Sequence, residues 1–486
     1  MGLPTIAVLF LTTSLLARTL YRLYIHPLAR VPGPKLAAAT SLWLAYHTYI
    51  GDECSTLFAL HKKYGPVLRI APNDIDIASG DAIEPIYLAR GGFPKTPVYS
   101  KFDIDGHSTI FSSLNLPERA SRAKAVAPLF STASIRNARG TLLGVVDDFV
   151  ERVRRDAIAS LNSNDGNGNG KPVNVLALGR AMAIDAVSAY LFQERYGALK
   201  ESEEVMSASP FVDAYVGVGA FFNFDSLGRA GEILVSLFEY FTQPAGTAKS
   251  FTTIDDYTSR LIRQAVPKSG SYQSRLLERV SSAQSQVEVK DVCFAGTDST
   301  GMNTATIIWY LVKCPEIYDR LRTALQTASP DTDPLSTPYL RAVVREGLRL
   351  SWANPIRLPR AVPTGGWKYK SYFFPPGTSV GVSAWQLHQD ETVFPDPLSF
   401  KPERWLEPNV TEEMLNNWFA FGKGTRACIA QNLGLAEVTM ATWKVAESGV
   451  LQGAKVVDSE IGILEWFNSR VKGEEILIKW VDAGFR

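Results

Sequence analysis

The chain has 486 residues, of which 46% are apolar and 20% are charged. This composition supplies a packed interior and excludes general disorder, and the length suits one large enzyme domain or two to three smaller ones. Fifty basic residues against 49 acidic ones leave a net charge of +1. Such a balance excludes the basic surface expected of a nucleic-acid-binding protein. Four cysteines are too few and too widely spaced for a disulfide framework or a paired-cysteine zinc site.

Residues 1–25 predict an N-terminal membrane anchor. The stretch 3–17 carries no charged side chain, and together with the residues that follow it is long enough for a helix that spans a bilayer. A cleaved signal peptide is the alternative, but no basic residue precedes the apolar stretch. Basic residues follow it at Arg18, Arg22 and Arg30, so the positive-inside rule places the remainder of the chain in the cytosol.

A proline-rich hinge is predicted over residues 26–36, where Pro27, Pro32 and Pro34 prevent the anchor helix from continuing. One globular domain follows over residues 37–486. Within it the Asn/Gly-rich run 162–170 predicts a mobile surface loop.

Helical periodicity dominates the globular part. It predicts helices over residues 120–130, 142–160, 181–192, 289–313 and 338–350. Short β-like segments are predicted over residues 67–70, 74–78, 372–374 and 476–481. The predicted fold class is therefore mainly α, with a small β-rich subdomain.

Two of the predicted helices carry unusual polar residues. The run Ala295-Gly296-Thr297-Asp298-Ser299-Thr300 is unfavourable by helix propensity, which suggests a kink or a functional opening. The alternative is a Ser/Thr-rich solvated face. In helix 338–350, Glu346 and Arg349 lie three residues apart on one face, where they can form an ion pair. Taken alone, such a pair is weak evidence of function.

Near the C-terminus, residues 421–428 read Phe-Gly-Lys-Gly-Thr-Arg-Ala-Cys and precede a helical pattern that begins near Ile429. Cys428 is thus predicted at a helix N-terminus, where the helix dipole would lower the pKa of its thiol and favour metal binding. Gly422 and Gly424 permit positive φ and a close approach to a flat ligand. A small buried hydrophobe is the alternative role of Cys428.

The spacing Phe-x-x-Gly-x-Arg-x-Cys closely resembles the haem-binding loop of the cytochromes P450. Further matches follow the order of that family: the Glu346/Arg349 pair, the segment 402–405 (Pro-Glu-Arg-Trp) and the run 295–300. The resemblance implies the cytochrome P450 fold, in which orthogonal helices of a single large domain surround a buried haem b. The chain departs from the family at Ala430, where glycine is usual, and at Ser299, where threonine is usual.

The resemblance also implies roles for individual residues. Cys428 would be the axial iron ligand, and Phe421, Gly422, Gly424 and Arg426 would contact the haem. Arg360 and Arg119 resemble propionate contacts in their placement. Asp298 and Ser299, with Thr300 beside them, would relay protons to the oxygen site. Glu346, Arg349 and Arg404 would form a buried network that holds the cysteine loop. A lone His388 is expected to have a structural hydrogen-bonding role.

The activity implied by the resemblance is that of a haem-thiolate monooxygenase, which hydroxylates or epoxidises a hydrophobic small molecule such as a terpenoid, polyketide or alkaloid intermediate. The chain shows no dinucleotide fingerprint or flavin domain, so electrons are expected from NADPH-cytochrome P450 reductase. Lys423, Arg122 and Lys124 are candidates for its docking face. The implied location is the endoplasmic reticulum membrane, with a single span. A reductase-independent thiolate-haem isomerase or dehydratase, and a non-catalytic haem sensor, are the alternatives.

Overall fold

The computed structural model describes residues 3–162, 170–201, 206–224, 247–329 and 333–481. Helices form most of its secondary structure and short sheets the rest, which confirms the predicted fold class. Most of the loop predicted over 162–170 lies outside the described residues.

The α-helices are numbered in chain order: α1 Leu3–Leu20, α2 Lys35–Ala39, α3 Leu42–Ile50, α4 Glu53–Tyr64, α5 Leu116–Val126, α6 Thr132–Asn137, α7 Arg139–Asn162, α8 Val175–Val187, α9 Ser209–Val218, α10 Thr247–Arg263, α11 Tyr272–Leu277, α12 Ser282–Lys313, α13 Pro315–Gln326, α14 Pro338–Leu350, α15 Ala384–His388, α16 Glu412–Asn417 and α17 Gln431–Ser448. The strands are β1 Val67–Ala71, β2 Asp74–Ile77, β3 Val173–Asn174, β4 Arg360–Ala361, β5 Trp367–Tyr369, β6 Tyr372–Phe374, β7 Ser379–Gly381, β8 Ala454–Val456, β9 Ile463–Leu464, β10 Arg470–Val471 and β11 Leu477–Trp480.

The strongest sequence patterns match these elements closely. Helix α14 occupies the predicted range 338–350, and β6 occupies 372–374. Helix α12 begins seven residues before its predicted start, because the Ser281 side chain accepts a hydrogen bond from the Gln284 N–H and caps the helix there.

The strands form four small sheets. The largest has the order β1-β2-β7-β4, in which β2 and β7 are parallel and the other pairs are antiparallel. A three-stranded sheet has the order β3-β11-β8, and β5-β6 and β9-β10 are two-stranded. The loop between β9 and β10 carries Phe467, which packs into an aromatic cluster with Tyr99 and Phe102.

Helix α12 runs through the main hydrophobic core and packs closely against α8. A Cβ atom on Gly179 would lie 2.7 Å from the Gly301 carbonyl oxygen, and one on Gly296 would lie 2.6 Å from a Val187 methyl group. The helix is nevertheless unbroken from Ser282 to Lys313. The glycines therefore permit close packing of α12 on α8, and the run 295–300 lies inside one continuous helix.

The N-terminal helix continues through a π-helical turn to Ile25, and its apolar segment Pro4–Ile25 is not buried by the rest of the chain. A second segment of similar length and hydropathy, Val175–Phe192, is 83% buried and belongs to the core. After the first segment the chain docks on the domain: Leu28 is buried, and the Pro32 carbonyl accepts a hydrogen bond of 2.8 Å from the Arg69 N–H.

Candidate functional site

A cavity of about 280 Å³ lies in the interior between α12 and the segment 419–430. Most of the site residues predicted from the sequence line this cavity. They are Arg119, Ser299, Thr300, Arg349, Arg360, Phe421, Gly422, Arg426 and Cys428. Four predicted residues do not line it: Asp298, Glu346, Arg404 and Gly424. The structure thus gathers side chains from distant parts of the sequence around one interior space.

The cysteine loop is a tight turn closed by its own backbone. The Gly422 N–H donates to the Phe419 carbonyl at 3.0 Å, and the Cys428 N–H donates to the Phe421 carbonyl at 2.9 Å. Gly422 and Gly424 both have positive φ, 64° and 76°. The close approach at Gly424 is to protein, because a Cβ atom there would lie 1.8 Å from the Tyr87 carbonyl oxygen. Gly424 thus allows the loop to pack tightly on this carbonyl, and its contact with haem stays a prediction.

Cys428 presents an accessible sulfur to the cavity, although the residue lies deep in the fold. Burial raises the pKa of its thiol to about 11, against a smaller lowering by the hydrogen bond from the Ala430 N–H. The predicted lowering of this pKa is thus wrong for the protein alone. Helix α17 begins only at Gln431, so the sulfur lies before its first turn. A bound metal ion would deprotonate the thiol, because coordination outweighs burial.

Three predicted arginines form a basic group beside the cavity. Arg426 donates to the Ser113 carbonyl at 2.9 Å, Arg360 to the Tyr99 hydroxyl at 2.9 Å, and Arg119 to the Ile110 carbonyl at 3.3 Å. The described residues provide no carboxylate within 4.0 Å of these guanidinium groups. The Nη1 atom of Arg426 is buried and has no hydrogen-bond partner among the described residues. Burial lowers the pKa of Arg426 to about 10, helped by the neighbouring Arg119 and Arg360.

Lys95 joins this group and was not predicted from the sequence. Its ammonium group is buried, donates to the Phe111 carbonyl at 2.6 Å, and lies 3.9 Å from the centre of the Tyr99 ring. Burial, with the surrounding arginines, holds its pKa well below the usual value. Asp291, which also lines the cavity, raises the pKa of Lys95 slightly but makes no ion pair with it within 4.0 Å. Cations that lack an acid in direct contact are costly to bury unless an anion joins them. The two propionates of haem would supply that charge, so these residues fit a haem.

The Glu346–Arg349 pair is the centre of a saturated buried network. Both residues are fully buried, and two hydrogen bonds of 2.9 Å join the guanidinium of Arg349 to the carboxylate of Glu346. Arg404 donates to the same carboxylate at 3.1 Å, and the Trp405 indole N–H at 2.8 Å. The Lys401 backbone N–H completes the set at 3.0 Å. The three residues predicted to form a network are therefore in contact.

The three predicted relay residues do not all line the cavity. Ser299 lines the cavity, and its hydroxyl donates to the Ala295 carbonyl at 2.9 Å. Asp298 does not line the cavity; it accepts a hydrogen bond of 2.7 Å from Arg180 of α8 and also bonds to Asn468, which does line the cavity. Successive residues of a helix point about 100° apart, so three consecutive side chains do not all reach the same wall. Burial raises the pKa of Asp298, against the lowering effect of Arg180.

Thr300 faces a buried acid that no sequence pattern marked. Its hydroxyl lies 3.4 Å from a carboxylate oxygen of Glu437, which also lines the cavity. Glu437 has no cation within 4.0 Å among the described residues, and burial raises the pKa of its carboxyl group to about 8. Glu437 therefore differs from Glu346, which has two arginine partners.

A model of the family described as cytochrome P450 matches residues 32–445 of the chain. The chain belongs to the cytochrome P450 family. It is 36% identical to the cytochrome P450 monooxygenase mfmF of Annulohypoxylon moriforme, with 96% of this chain and 97% of the relative aligned. It is 27% identical to the fusicoccadiene C-8 hydroxylase of Alternaria brassicicola, over 90% of this chain and 88% of that one. The cytochrome P450 monooxygenase cpaH of Aspergillus oryzae is 29% identical over 87% of this chain and 82% of the relative.

Membership confirms the family resemblance and the class of enzyme, a monooxygenase among the oxidoreductases. The family implies a haem cofactor, a redox partner and a small-molecule substrate for this cytochrome P450. The relatives with similar sequences are fungal enzymes of secondary metabolism. The N-terminal apolar helix is compatible with a membrane anchor.

The remaining cavity wall of this cytochrome P450 is largely apolar and aromatic. This wall includes the side chains of Phe102, Ile110, Phe111, Tyr215, Trp352 and Ile356. Phe467 and Asn468, from the loop between β9 and β10, also line the wall and were not predicted. No local pattern distinguishes that loop in the sequence.

One predicted surface residue is placed differently by the structure. Arg122 is 3% exposed, and its guanidinium binds the Glu288 carboxylate at 2.8 Å. It therefore holds α5 to α12 and is not available to a docking face. Lys423 is half-buried and donates to the Leu415 carbonyl at 3.2 Å, whereas Lys124 is exposed.

Proposed function

We propose that this cytochrome P450 is a membrane-anchored haem-thiolate monooxygenase that hydroxylates or epoxidises a hydrophobic small molecule, such as a terpenoid, polyketide or alkaloid intermediate. The observation that carries the proposal is one cavity with the Cys428 sulfur at its wall, cations without acidic partners beside it, and a largely apolar lining. The name of one relative describes the hydroxylation of fusicoccadiene, which supports an apolar substrate.

The cofactor proposed is haem b, with Cys428 as the metal ligand and the propionates bound by Arg119, Arg360, Arg426 and Lys95. Phe421 and Gly422 would contact the porphyrin. When bound, a haem with a thiolate ligand supplies activation of dioxygen and O–O cleavage. The residues of the chain hold the cofactor, exclude bulk water through the aromatic wall, and position the substrate.

Proton delivery is proposed to involve Asp298, Ser299 and Thr300. The Ser299 hydroxyl faces the cavity and can pass a proton to a reacting group there, while Asp298 has to turn from Arg180 to reach it. Burial raises the pKa of Asp298, which brings proton exchange by its carboxyl group closer to neutral pH. Thr300 would hold the carboxyl group of Glu437 in place through the 3.4 Å contact between its hydroxyl and a carboxylate oxygen.

Electrons are proposed to come from NADPH through a membrane-bound cytochrome P450 reductase. The proposed location is the endoplasmic reticulum membrane, with residues 1–25 as a single span, residues 26–36 as a hinge and residues 37–486 as the catalytic domain in the cytosol. Support comes from the unburied apolar segment Pro4–Ile25 and the basic residues that follow it.

The experiment is a reconstitution of the full chain in reductase-containing microsomes, followed by comparison of metabolites with and without the protein. We expect a product one oxygen atom heavier than its precursor, formed only when reductase, NADPH and dioxygen are all present. A product that forms equally well without NADPH would contradict this proposal and support the isomerase or dehydratase alternative. Haem binding without any turnover would favour the sensor.

A further inference from the structure

His388 joins the Glu346–Arg349 network to the cysteine loop. Its ring is buried at the C-terminal end of α15 and lines the cavity. Nδ1 lies 3.0 Å from the Arg349 carbonyl oxygen, and Nε2 lies 2.9 Å from the backbone nitrogen of Phe419. A guanidinium nitrogen of Arg349 also donates to the His388 carbonyl at 2.8 Å. The two residues therefore exchange a pair of hydrogen bonds, and the third bond leads onward to Phe419.

The partners of the ring determine its protonation state. A backbone N–H can only donate, so Nε2 of His388 must accept from Phe419. A carbonyl can only accept, so the ring proton is on Nδ1 and faces Arg349. An imidazolium would place a second N–H against the Phe419 N–H and break that bond. Burial, with the nearby Arg349 charge, lowers the pKa of His388 to about 3, which agrees with a neutral ring.

Phe419 is the residue from which the cysteine loop starts to turn. Its own carbonyl accepts the Gly422 N–H at 3.0 Å, and two residues later the Phe421 carbonyl accepts the Cys428 N–H at 2.9 Å. Phe419 is buried, and its ring lies 5.3 Å from that of Tyr87. A hydrogen-bonded path thus runs from Glu346 through Arg349 and His388 to the backbone that carries the sulfur.

We propose that His388 is a positioning residue for the Cys428 ligand, which fixes the cysteine loop by accepting the Phe419 N–H while its Nδ1–H is bound to Arg349. The inference rests on the proposed thiolate ligation by Cys428. The ring touches no reacting atom and acts through the backbone of the loop. Loss of the acceptor leaves a buried N–H unpaired at the base of that loop, which is a costly defect.

Two substitutions test the hydrogen bonds of the two ring nitrogens separately. In His388→Gln the amide oxygen reaches the position of Nε2 and can still accept from Phe419, but the donor to Arg349 is lost. In His388→Asn the amide nitrogen reaches the position of Nδ1 and can still donate, but the acceptor is lost. His47→Asn is the control, because His47 uses Nδ1 for its 2.7 Å hydrogen bond to the partly exposed Asp52 and does not line the cavity.

The measurement is the Soret band of the ferrous carbon monoxide complex, which distinguishes thiolate from thiol ligation, followed in time at a moderately elevated temperature. We expect the thiolate form of His388→Asn to decay roughly tenfold faster than that of His388→Gln, as for a buried donor left unpaired. His388→Gln and His47→Asn should stay close to the wild-type rate. Equal rates for His388→Asn and His388→Gln would overturn the proposal.

If His388→Asn does not accumulate with haem, the comparison of His388→Gln with His388→Leu decides in the same assay. A merely space-filling role predicts that these two variants behave alike, whereas positioning predicts that only the glutamine variant keeps the thiolate form. A wild-type protein that binds haem without a thiolate-type band would instead contradict the ligation by Cys428, so the two failures are distinguishable.

Discussion

The site contains two groups of wholly or partly buried arginines, which differ in what neutralises their charge. Arg349 and Arg404 share the carboxylate of Glu346, whose oxygens also accept two further N–H donors. Arg360 and Arg426 have carbonyl and hydroxyl partners but no acid within 4.0 Å among the described residues. The first group is complete within the protein. The second is complete only when an anion binds, which distinguishes a structural cluster from a cofactor site.

The largest loss of stability is expected when the network of Glu346, Arg349 and Arg404 is broken. Arg349→Met leaves the Glu346 carboxylate buried with only Arg404 as a cation, a loss on the order of 3–5 kcal/mol in the free energy of unfolding. We expect little folded, pigmented protein, as judged by thermal unfolding and by the haem absorbance per protein.

Arg320→Met is the matched control for this variant. Arg320 binds Glu403 at 2.8 Å, but the pair is exposed to solvent. Its loss should lower the free energy of unfolding by less than about 1 kcal/mol. Equal destabilisation by the two variants would contradict the distinction between buried and exposed pairs.

For Arg360 and Arg426, which have no acidic partner in the part of the chain that the structure describes, we expect a change in haem binding and no loss of stability. Arg426→Met removes a half-buried cation that has no acid within 4.0 Å among the described residues, so the haem-free protein should unfold at the same or a higher temperature. Haem binding should weaken by roughly tenfold or more, the value of a lost charged hydrogen bond. The rate of haem transfer to excess apomyoglobin measures this loss.

Arg341→Met, an exposed arginine of α14, is the control and should change neither the unfolding temperature nor haem transfer. If Arg426→Met instead destabilises the haem-free protein as strongly as Arg349→Met, the basic group is structural and the distinction between the two groups fails.

The smallest effect concerns a buried acid without a cation. The pKa of Glu437 is raised to about 8, so the folded protein binds a proton that the unfolded chain releases above about pH 4.5. The stabilisation is present at low pH and is lost as the pH rises through this window. Relative to Glu437→Gln, the wild-type protein should lose on the order of 1 kcal/mol of its free energy of unfolding between pH 7 and pH 8, because one pH unit between the two pKa values is worth at most about 1.4 kcal/mol.

Denaturant unfolding of both haem-loaded proteins at several pH values gives the difference directly. A constant difference across this range would show that Glu437 does not change its protonation on folding.

The same comparison explains what the sequence could and could not predict. The residues of the Cys428 loop and of helix α14 were predictable, because their chemistry lies within short segments of fixed spacing. Lys95 and Glu437 were not, because their significance comes from neighbours more than a hundred residues away or from the absence of a partner. Asp298 was predicted at the site because it is adjacent to Ser299 in the run that resembles the family. Adjacency does not determine where the side chain points, and Asp298 binds Arg180.

The fold class followed from periodicity, but the pKa of Cys428 did not follow from its place before a helix. Burial raises that pKa more than a nearby N–H lowers it, and burial is a property of the whole fold. Arg122 was similarly misplaced on a surface, because its partner Glu288 belongs to a distant helix.

The most direct test of the central claim, that the sulfur of Cys428 holds the haem iron, is the carbon monoxide spectrum of Cys428→Ser beside that of the wild-type protein and of Cys314→Ser. Cys314 is half-buried, and its residue does not line the cavity. We predict a thiolate-type Soret band for the wild type and for Cys314→Ser, and its complete loss in Cys428→Ser. An undiminished thiolate-type band in Cys428→Ser, with unchanged haem content, would contradict the assignment.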